Sequence, residues 1–340
     1  MTTILLNKLH KKYAHNPPKF ITNRFMREIK LIRTNELVKA MLVFAQLDDL
    51  ECPYYLGMES AASFSAYLLG FSSSNPLPPH YYCPDCHRVE RTDGAWDGFD
   101  LPDKTCSVCS GTMRGDGHDF HFGYLYGSGP SMLLVKVPEK RYYEVLDYLS
   151  HFFGSLASQN EPFFPERYAQ FGMIGLSSDE MLPPKCANWN NTPSSAQIKR
   201  HAISICKNSI YEKKSTTRHI LDSCGRIDTF YGAVRCYGIA AAAWKSPIKS
   251  AILLAEKPLP NSAIMREDVY DYFRSIGCDE KESFRQMKRF YYGRGTVTTG
   301  RTPEETEFLK QCGEYSYIPS RICAVEYYIA KTKLALNGSE

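Results

Sequence analysis

"HYYCPDCHRVERTDGAWDGFDLPDKTCSVCSGTMRGDGHD", residues His80–Asp119, carries Cys83, Cys86, Cys106 and Cys109 in the spacing C-x2-C-x19-C-x2-C. Each Cys-x-x-Cys knuckle puts two thiolates on one side of a tight turn. Two knuckles complete the tetrahedron that Zn²⁺ prefers and leave no position open for water. The spacing therefore predicts a structural zinc ribbon, with a redox Cys-x-x-Cys pair as the other reading of the same residues. His87 follows the second cysteine directly and reads as a neighbour of the site or a surface residue. The stretch runs on into "DGHDFHF" (Asp116–Phe122), the other cluster with metal-ligand chemistry. Carboxylate and imidazole suit a catalytic divalent ion, so Asp116, His118 and Asp119 are candidate catalytic residues, with His121 beside them. In a strand only alternate residues share a face, so Asp116 with His118, or Asp119 with His121, would converge, but not all four. Hydrogen-bonded scaffolding is the plainer reading of the cluster. Glu144 and Asp147, three apart on an expected helix, share a face and could join it, although helix-surface acids are usually solvated.

Working outward, the chain has 340 residues, 43% of them hydrophobic, enough for one large domain or two ordinary ones. Its formal charge of +4 permits nucleic-acid contact without arguing for it. The distribution says more. Between Asn191 and Ser250 stand ten Lys/Arg against three Asp/Glu, whereas Arg266 to Glu340 balances twelve against twelve. The first residues, "MTTILLNKLHKKYAHNPPKF", hold too short an apolar run for a signal peptide, and no stretch approaches the roughly 20 apolar residues of a membrane span. A cytoplasmic protein without a membrane partner is expected. Twelve cysteines then read as thiols and metal ligands. The eight outside the ribbon (Cys52, Cys186, Cys206, Cys224, Cys236, Cys278, Cys312, Cys323) lack paired spacing and read as small core residues.

Along the chain, Phe20–Leu47 repeats apolar residues at helical spacing, with a break near Asn35. "CPYYLGMESAASFSAYLLGF" reads as a strand, a turn at Gly57 and a small-residue helix, and the prolines of "SSSNPLPPH" forbid regular structure before the ribbon. Met132–Val137 is a β-type apolar run, and "EKRYYEVLDYLSHFFG" is an amphipathic helix closed by Gly154. Pro, Asn and Ser dominate Ser177–Ser195, which marks a boundary. Beyond it, helices are expected over Ile198–Lys207, Thr216–Ser223, Ile239–Trp244, "REDVYDYFRSIG", "DEKESFRQMKRFYYG", "PEETEFLKQCG" and about Arg321–Leu336.

"NPLPPHYYCPDC", "DGFDLPDKTC" and "GDGHD" together resemble the zinc-containing palm insertion of PolC-type bacterial DNA polymerase III alpha subunits. The resemblance extends in collinear order. "YYLGMESAASFSAYLLGFSSSNPLPPHYYCP" and "RFMREIKLIRTNELVKAMLVFAQL" look like the family segments that precede the ribbon. "CGRIDTFYG", "MREDVYDYFRSIGCDEKESFRQMKRFYYGRG" and "EYSYIPSRICAVEYYIAKTKLAL" look like segments of its fingers. It spans about Pro18 to Leu336, with a large deletion within roughly Gly175–Arg218. It implies an α+β fold: a polymerase-palm-like mixed sheet with the four-cysteine zinc ribbon, followed by a mostly helical fingers-like domain. The expected division is 1–176 for the palm-like domain (ribbon at 80–119), 177–197 for a linker or truncated region, and 198–340 for the helical domain.

The departures from the family bear on activity. Polymerases hold two divalent ions with acidic residues. The family takes two of them from a Pro-Asp-Ile-Asp-Leu strand, where this chain reads "SMLLVKVP", with no carboxylate and with Lys136 placing a cation where metal would sit. The third aspartate falls in the deletion. The triphosphate-binding Gly-Ser-Arg-Gly-Ser turn is "LGMESAASF" here, with Glu59 near the arginine's place. In the fingers, Lys-Ala-His has become Ser320, Arg321, Ile322.

Three functions follow as alternatives. The first is a catalytically inactive homologue that binds DNA, primer-template or single-stranded, in replication or in a phage or other mobile element. Its contacts would be Lys213, Lys214, Arg218, Lys245, Lys249, Arg285, Lys288, Arg289, Arg294, Arg301 and Arg321, with Tyr291 and Tyr292 as stacking surfaces. The second is an adaptor or decoy that binds a replisome protein. The third is a divergent metal-dependent polymerase or nuclease.

Overall fold

A computed structural model describes residues 2–34, 47, 50–57, 60–126, 133–153, 168–171, 174–182, 193–212, 227–243, 264–291, 302, 303, 306 and 320–338. The fold is α+β. It divides into two compact units, Met1–Ser195 with Glu326–Glu340, and Ala196–Val325.

The first unit opens with helices α1 (Thr2–Tyr13) and α2 (Lys19–Thr34). Leu5, Leu9 and Tyr13 bury one stripe of α1 at four-residue spacing. Strand β1 (Tyr55–Gly57) leads to the short helix α3 (Phe64–Leu69). The Ser63 hydroxyl caps α3 by accepting from the Ala66 N–H, and Gly70, at φ +88°, closes it in the left-handed conformation. The ribbon strands follow: β2 (His80–Tyr82), β3 (Val89–Arg91), β4 (Lys104–Thr105) and β5 (Thr112–Asp116). They form an antiparallel sheet in the order β3-β2-β5-β4, with His80 opposite Asp116 and Tyr82 opposite Arg114.

Strand β6 (Leu133–Pro138), helix α4 (Tyr142–Phe153), β7 (Tyr168–Phe171) and β8 (Ile174–Asp179) complete the second sheet, ordered β1-β6-β8-β7. The β6 run "LLVKVP" is buried apart from half-exposed Lys136, as a central strand covered on both faces requires. β6 and β8 are parallel, joined by a crossover that includes α4. The last helix, α9 (Arg321–Leu336), sets Ala330 and Leu334 against Leu182, Tyr55 and Met181.

The second unit is helical where described: α5 (Ser195–Glu212), α6 (Phe230–Ala243), α7 (Arg266–Ser275) and α8 (Glu280–Tyr291), with the start of α9. Helices α7 and α8 form a hairpin whose turn places Gly277 at φ +96°. The Asp268 carboxylate accepts from the Ile264 and Met265 N–H groups at the head of α7 and pairs with Arg235 at 3.0 Å.

Several expected elements coincide with observed ones, including the β6 run and α9. Helix α1 lies before the first element the sequence reading assigned, and β7 and β8 were not assigned either. The expected helices at Thr216–Ser223 and in most of "PEETEFLKQCG" lie outside the described residues. Of the eight isolated cysteines, Cys52, Cys206 and Cys236 are buried and Cys278 and Cys323 partly buried. Cys186, Cys224 and Cys312 lie outside the described residues.

Candidate metal centre and the buried ion pairs

The two knuckles of the ribbon repeat one local structure. In the first, the Cys83 N–H donates to the Arg88 carbonyl at 2.9 Å and the His87 N–H to the Cys83 carbonyl at 2.9 Å. In the second, the Cys106 N–H donates to Gly111 at 2.7 Å and the Ser110 N–H to Cys106 at 3.0 Å. His87 and Ser110, each the residue after the second cysteine, take φ of +60° and +61°. The four sulfurs lie within 4.8 Å of one another, with Cys83–Cys109 and Cys86–Cys106 both at 3.5 Å. A tetrahedral ion with Zn–S bonds near 2.3 Å needs sulfurs about 3.8 Å apart, so the set fits zinc closely. Buried Met113 packs beneath Cys83 and Cys106. N–H groups of Cys109 and Val108 hold the Cys106 thiol down at about 6. The Gly111 N–H acts the same way on Cys109, but the adjoining Cys86 and Cys83 sulfurs outweigh it and push Cys109 up to about 12. Crowded thiols resist ionising together, and a divalent ion at their centre removes that resistance. Among the described residues this is the one group of His, Cys, Asp or Glu side chains arranged to hold a metal ion.

Asp116, His118 and Asp119 sit at the end of β5 and do not form a second such group. Asp116 is held from inside: its carboxylate accepts from Asn75 at 2.8 Å, Tyr67 at 3.0 Å and the Gly117 N–H at 2.9 Å, and pairs with the Lys12 ammonium at 3.4 Å. Burial pushes its pKa up, but Lys12, His80 and Asn75 more than offset this and hold it well below the usual carboxylate range. Lys12 also hydrogen-bonds the Tyr67 hydroxyl and stands 4.3 Å from the centre of that ring. His118 turns to a different partner, Asp97, at 2.8 Å. Burial lowers its pKa, and the Asp97 carboxylate more than reverses this, so the imidazole titrates above its ordinary value. The Asp97 loop comes this close because Gly98 and Gly115 let two backbones touch: a Cβ on Gly98 would lie 2.1 Å from the Asp116 carbonyl oxygen. Asp119 takes φ +52° and donates its N–H to the Leu77 carbonyl, and buried His121 meets the Tyr126 hydroxyl at 3.4 Å. On α4, exposed Glu144 is paired with Arg141, and Asp147 is exposed.

In the four-stranded sheet, Tyr55 of β1 is opposite Lys136 of β6, which is opposite Ser177 of β8. Asp179, two residues on from Ser177, shares its face. Its carboxylate lies 3.5 Å from the Lys136 ammonium and accepts from the Tyr55 hydroxyl. Fully buried Glu28 of α2 covers the start of α3, accepting from the Phe64 and Ser65 N–H groups at 2.9 Å each and from the Ser63 hydroxyl at 3.2 Å. Glu59 lies outside the described residues. Sequence reasoning missed Lys12, Glu28, Asn75, Asp97 and Asp179. Each has a partner far away in the chain, although Glu28 also pairs with Arg24 one turn earlier at 2.7 Å.

Of the expected DNA contacts, Lys213, Lys214, Arg218, Lys245, Lys249, Tyr292, Arg294 and Arg301 lie outside the described residues, as does the Tyr291 side chain. Arg285 is exposed and paired with Glu282 one turn earlier at 2.7 Å. Lys288 and Arg289 are half-buried on the same helix. Arg321, the remaining expected DNA contact, stands at the start of α9. It is 5% exposed, its N–H donates to Glu267 at 2.8 Å, and its guanidinium lies within 4.0 Å of the same carboxylate.

Parts of the chain are similar to proteins named DNA polymerase III PolC-type. The one from Thermotoga petrophila is 33% identical over 131 residues, 37% of this chain and 10% of that protein. One from Staphylococcus aureus is 36% identical over 126 residues, 34% of this chain and 9% of that protein. The similarity thus spans about a tenth of the length of these curated relatives, and about a third of this chain instead of the whole span from Pro18 to Leu336. No protein-family model matches the chain.

Proposed function

We propose that this chain is a PolC-like protein that binds DNA in replication, of its host or of a mobile element, without polymerising nucleotides. The observation that carries this reading is the pairing of Lys136 with Asp179 at 3.5 Å. Two-metal phosphoryl transfer needs carboxylates converging on divalent cations. On the strand where the resemblance expects two of them, this chain has an ammonium, and it is already paired with the adjacent strand's aspartate. Glu28 supports the same reading. The N–H groups at the start of α3, next to the stretch that resembles a triphosphate-binding turn, are taken up by a carboxylate of the chain itself. The four-cysteine site, closed to water and substrate, braces the ribbon as a structural zinc would. DNA binding draws on the basic segment Asn191–Ser250 and on the acid-free run from Phe284 to Thr302, which contains Arg285, Lys288, Arg289, Arg294 and Arg301.

The test is primer extension with purified protein in Mg²⁺ and in Mn²⁺, beside binding of the same primer-template across a salt series. The expected result is no extension above a mock preparation, and binding that weakens steeply with salt. Extension would overturn the non-polymerising reading. Absence of binding would overturn the DNA reading and put a replisome-protein partner in its place.

A further inference from the structure

In the first unit, a groove of about 390 Å³ runs between α1 and strand β5, lined among others by Lys8, Lys12, Ser73, Tyr82, Arg114 and Asp116. Its charge is one-sided. Residues 1–27 contain six Lys/Arg (Lys8, Lys11, Lys12, Lys19, Arg24, Arg27) and no carboxylate before Glu28. Asp116 is the single acid among the lining residues, and Lys12, Tyr67, Asn75 and the Gly117 N–H already engage it. Lys8 and Arg114 are exposed and have no ion-pair partner among the described residues. With Asp116 balanced by Lys12, they leave the groove with two uncompensated positive charges.

We infer that this groove receives a single nucleic-acid strand, with Lys8 and Arg114 on successive backbone phosphates and a base beside the half-buried ring of Tyr82, which also meets Lys12 at 5.2 Å and Tyr13 at 5.8 Å. Tyr82 is directly opposite Arg114 across the β2–β5 ladder, so a stacking surface and a phosphate ligand adjoin on one rigid element. The Ser73 side chain also lines the groove. A volume of about 390 Å³ is on the scale of a small-molecule pocket, which admits one nucleotide of a strand and excludes a duplex. Lys12 is committed to Asp116 and positions the floor instead of the ligand. This site is separate from the basic residues invoked above, and the inference rests on the reading that the protein binds nucleic acid.

The test compares wild type with the Lys8→Glu, Arg114→Glu double variant, using a fluorescein-labelled single-stranded oligothymidylate across a salt series. Zinc content and circular dichroism report whether the fold is kept. Loss of two phosphate contacts on a single strand should lower the slope of log K against log salt by about 1.4 and weaken binding at least about tenfold. If the reversal disturbs the ribbon, the neutral pair Lys8→Gln, Arg114→Gln carries the same expected change in slope. A double variant that binds with the wild-type slope would overturn the groove and leave the DNA reading standing. Wild type that binds no oligonucleotide would overturn both. Competition by free thymidine triphosphate at the oligonucleotide's own affinity per site would show a free-nucleotide pocket and overturn the strand.

Discussion

In the ribbon, four sulfurs converge within 4.8 Å of one another. In the sheet β1-β6-β8-β7, the Asp179 carboxylate meets the Lys136 ammonium at 3.5 Å, and at the end of β5 the Asp116 carboxylate meets Lys12 at 3.4 Å. Concentrated negative charge needs a cation in each place. The sheet and the Asp116 cluster draw theirs from the chain, with long lysine side chains reaching across from another element. No lysine can sit at the centre of four thiolates, so among the described residues the ribbon is the place arranged to take an ion from solution. A carboxylate with a built-in cation is a structural element, while a thiolate set without one can hold a metal ion.

The largest effect expected from this contrast is on the ribbon. Cys83→Ser should remove one zinc equivalent and unfold residues 80–119, because structural zinc contributes on the order of 10 kcal/mol in small zinc modules. Metal analysis and limited proteolysis check it. Loss of zinc with the ribbon still protected would break the comparison from the thiolate side.

The next effect is on Lys12, which is 29% exposed against 16% for Asp116. Lys12→Met leaves a buried carboxylate without its cation and should cost about 2–3 kcal/mol, less than a fully buried pair because water reaches the lysine. Because the Asp116 pKa is held low, the stability it contributes is present at neutral pH and is lost as pH falls below the usual carboxylate range towards its folded value. Denaturant melts of wild type should show that acid-side loss. In Lys12→Met it should be weaker, and adding Asp116→Asn should recover part of the stability.

The smallest effect is at His118. Asp97→Asn should cost about 1–2 kcal/mol, since the imidazole can shed its proton once its partner is gone. The His118 pKa is raised, so the pair's stabilisation is full below the ordinary imidazole value and fades as pH rises through the folded one. The His118 NMR titration midpoint should fall in Asp97→Asn. An unchanged midpoint would mean that another group holds the proton.

The sequence exposed what is local. Cysteine spacing is a property of a tight turn, so the clustering of the four ribbon cysteines was legible from residues 80–119 alone. The apolar run expected at Met132–Val137 and the helix expected at about Arg321–Leu336 are marked by their own residues, and the structure has a strand at Leu133–Pro138 and a helix at Arg321–Leu336. Helix α1 was hidden because its buried stripe is only Leu5, Leu9 and Tyr13 among lysines and histidines. Strand β8 was hidden because "IGLSSD" is small and polar and becomes a strand through its parallel pairing with β6. The buried pairs were the least legible. Lys12 and Asp116 lie 104 positions apart, and Lys136 and Asp179 lie 43 apart. The burial of Arg321 was hidden for the same reason, because its partner Glu267 lies 54 residues earlier.

The measurement that tests the account most directly is a metal count on the intact protein, purified without added metal and then dialysed against Mn²⁺. The account predicts one zinc per chain, lost in Cys83→Ser, and no stoichiometric Mn²⁺. A tightly held Mn²⁺ ion that disappears in Asp179→Asn would contradict it, because Lys136 would then not be the cation that answers that carboxylate.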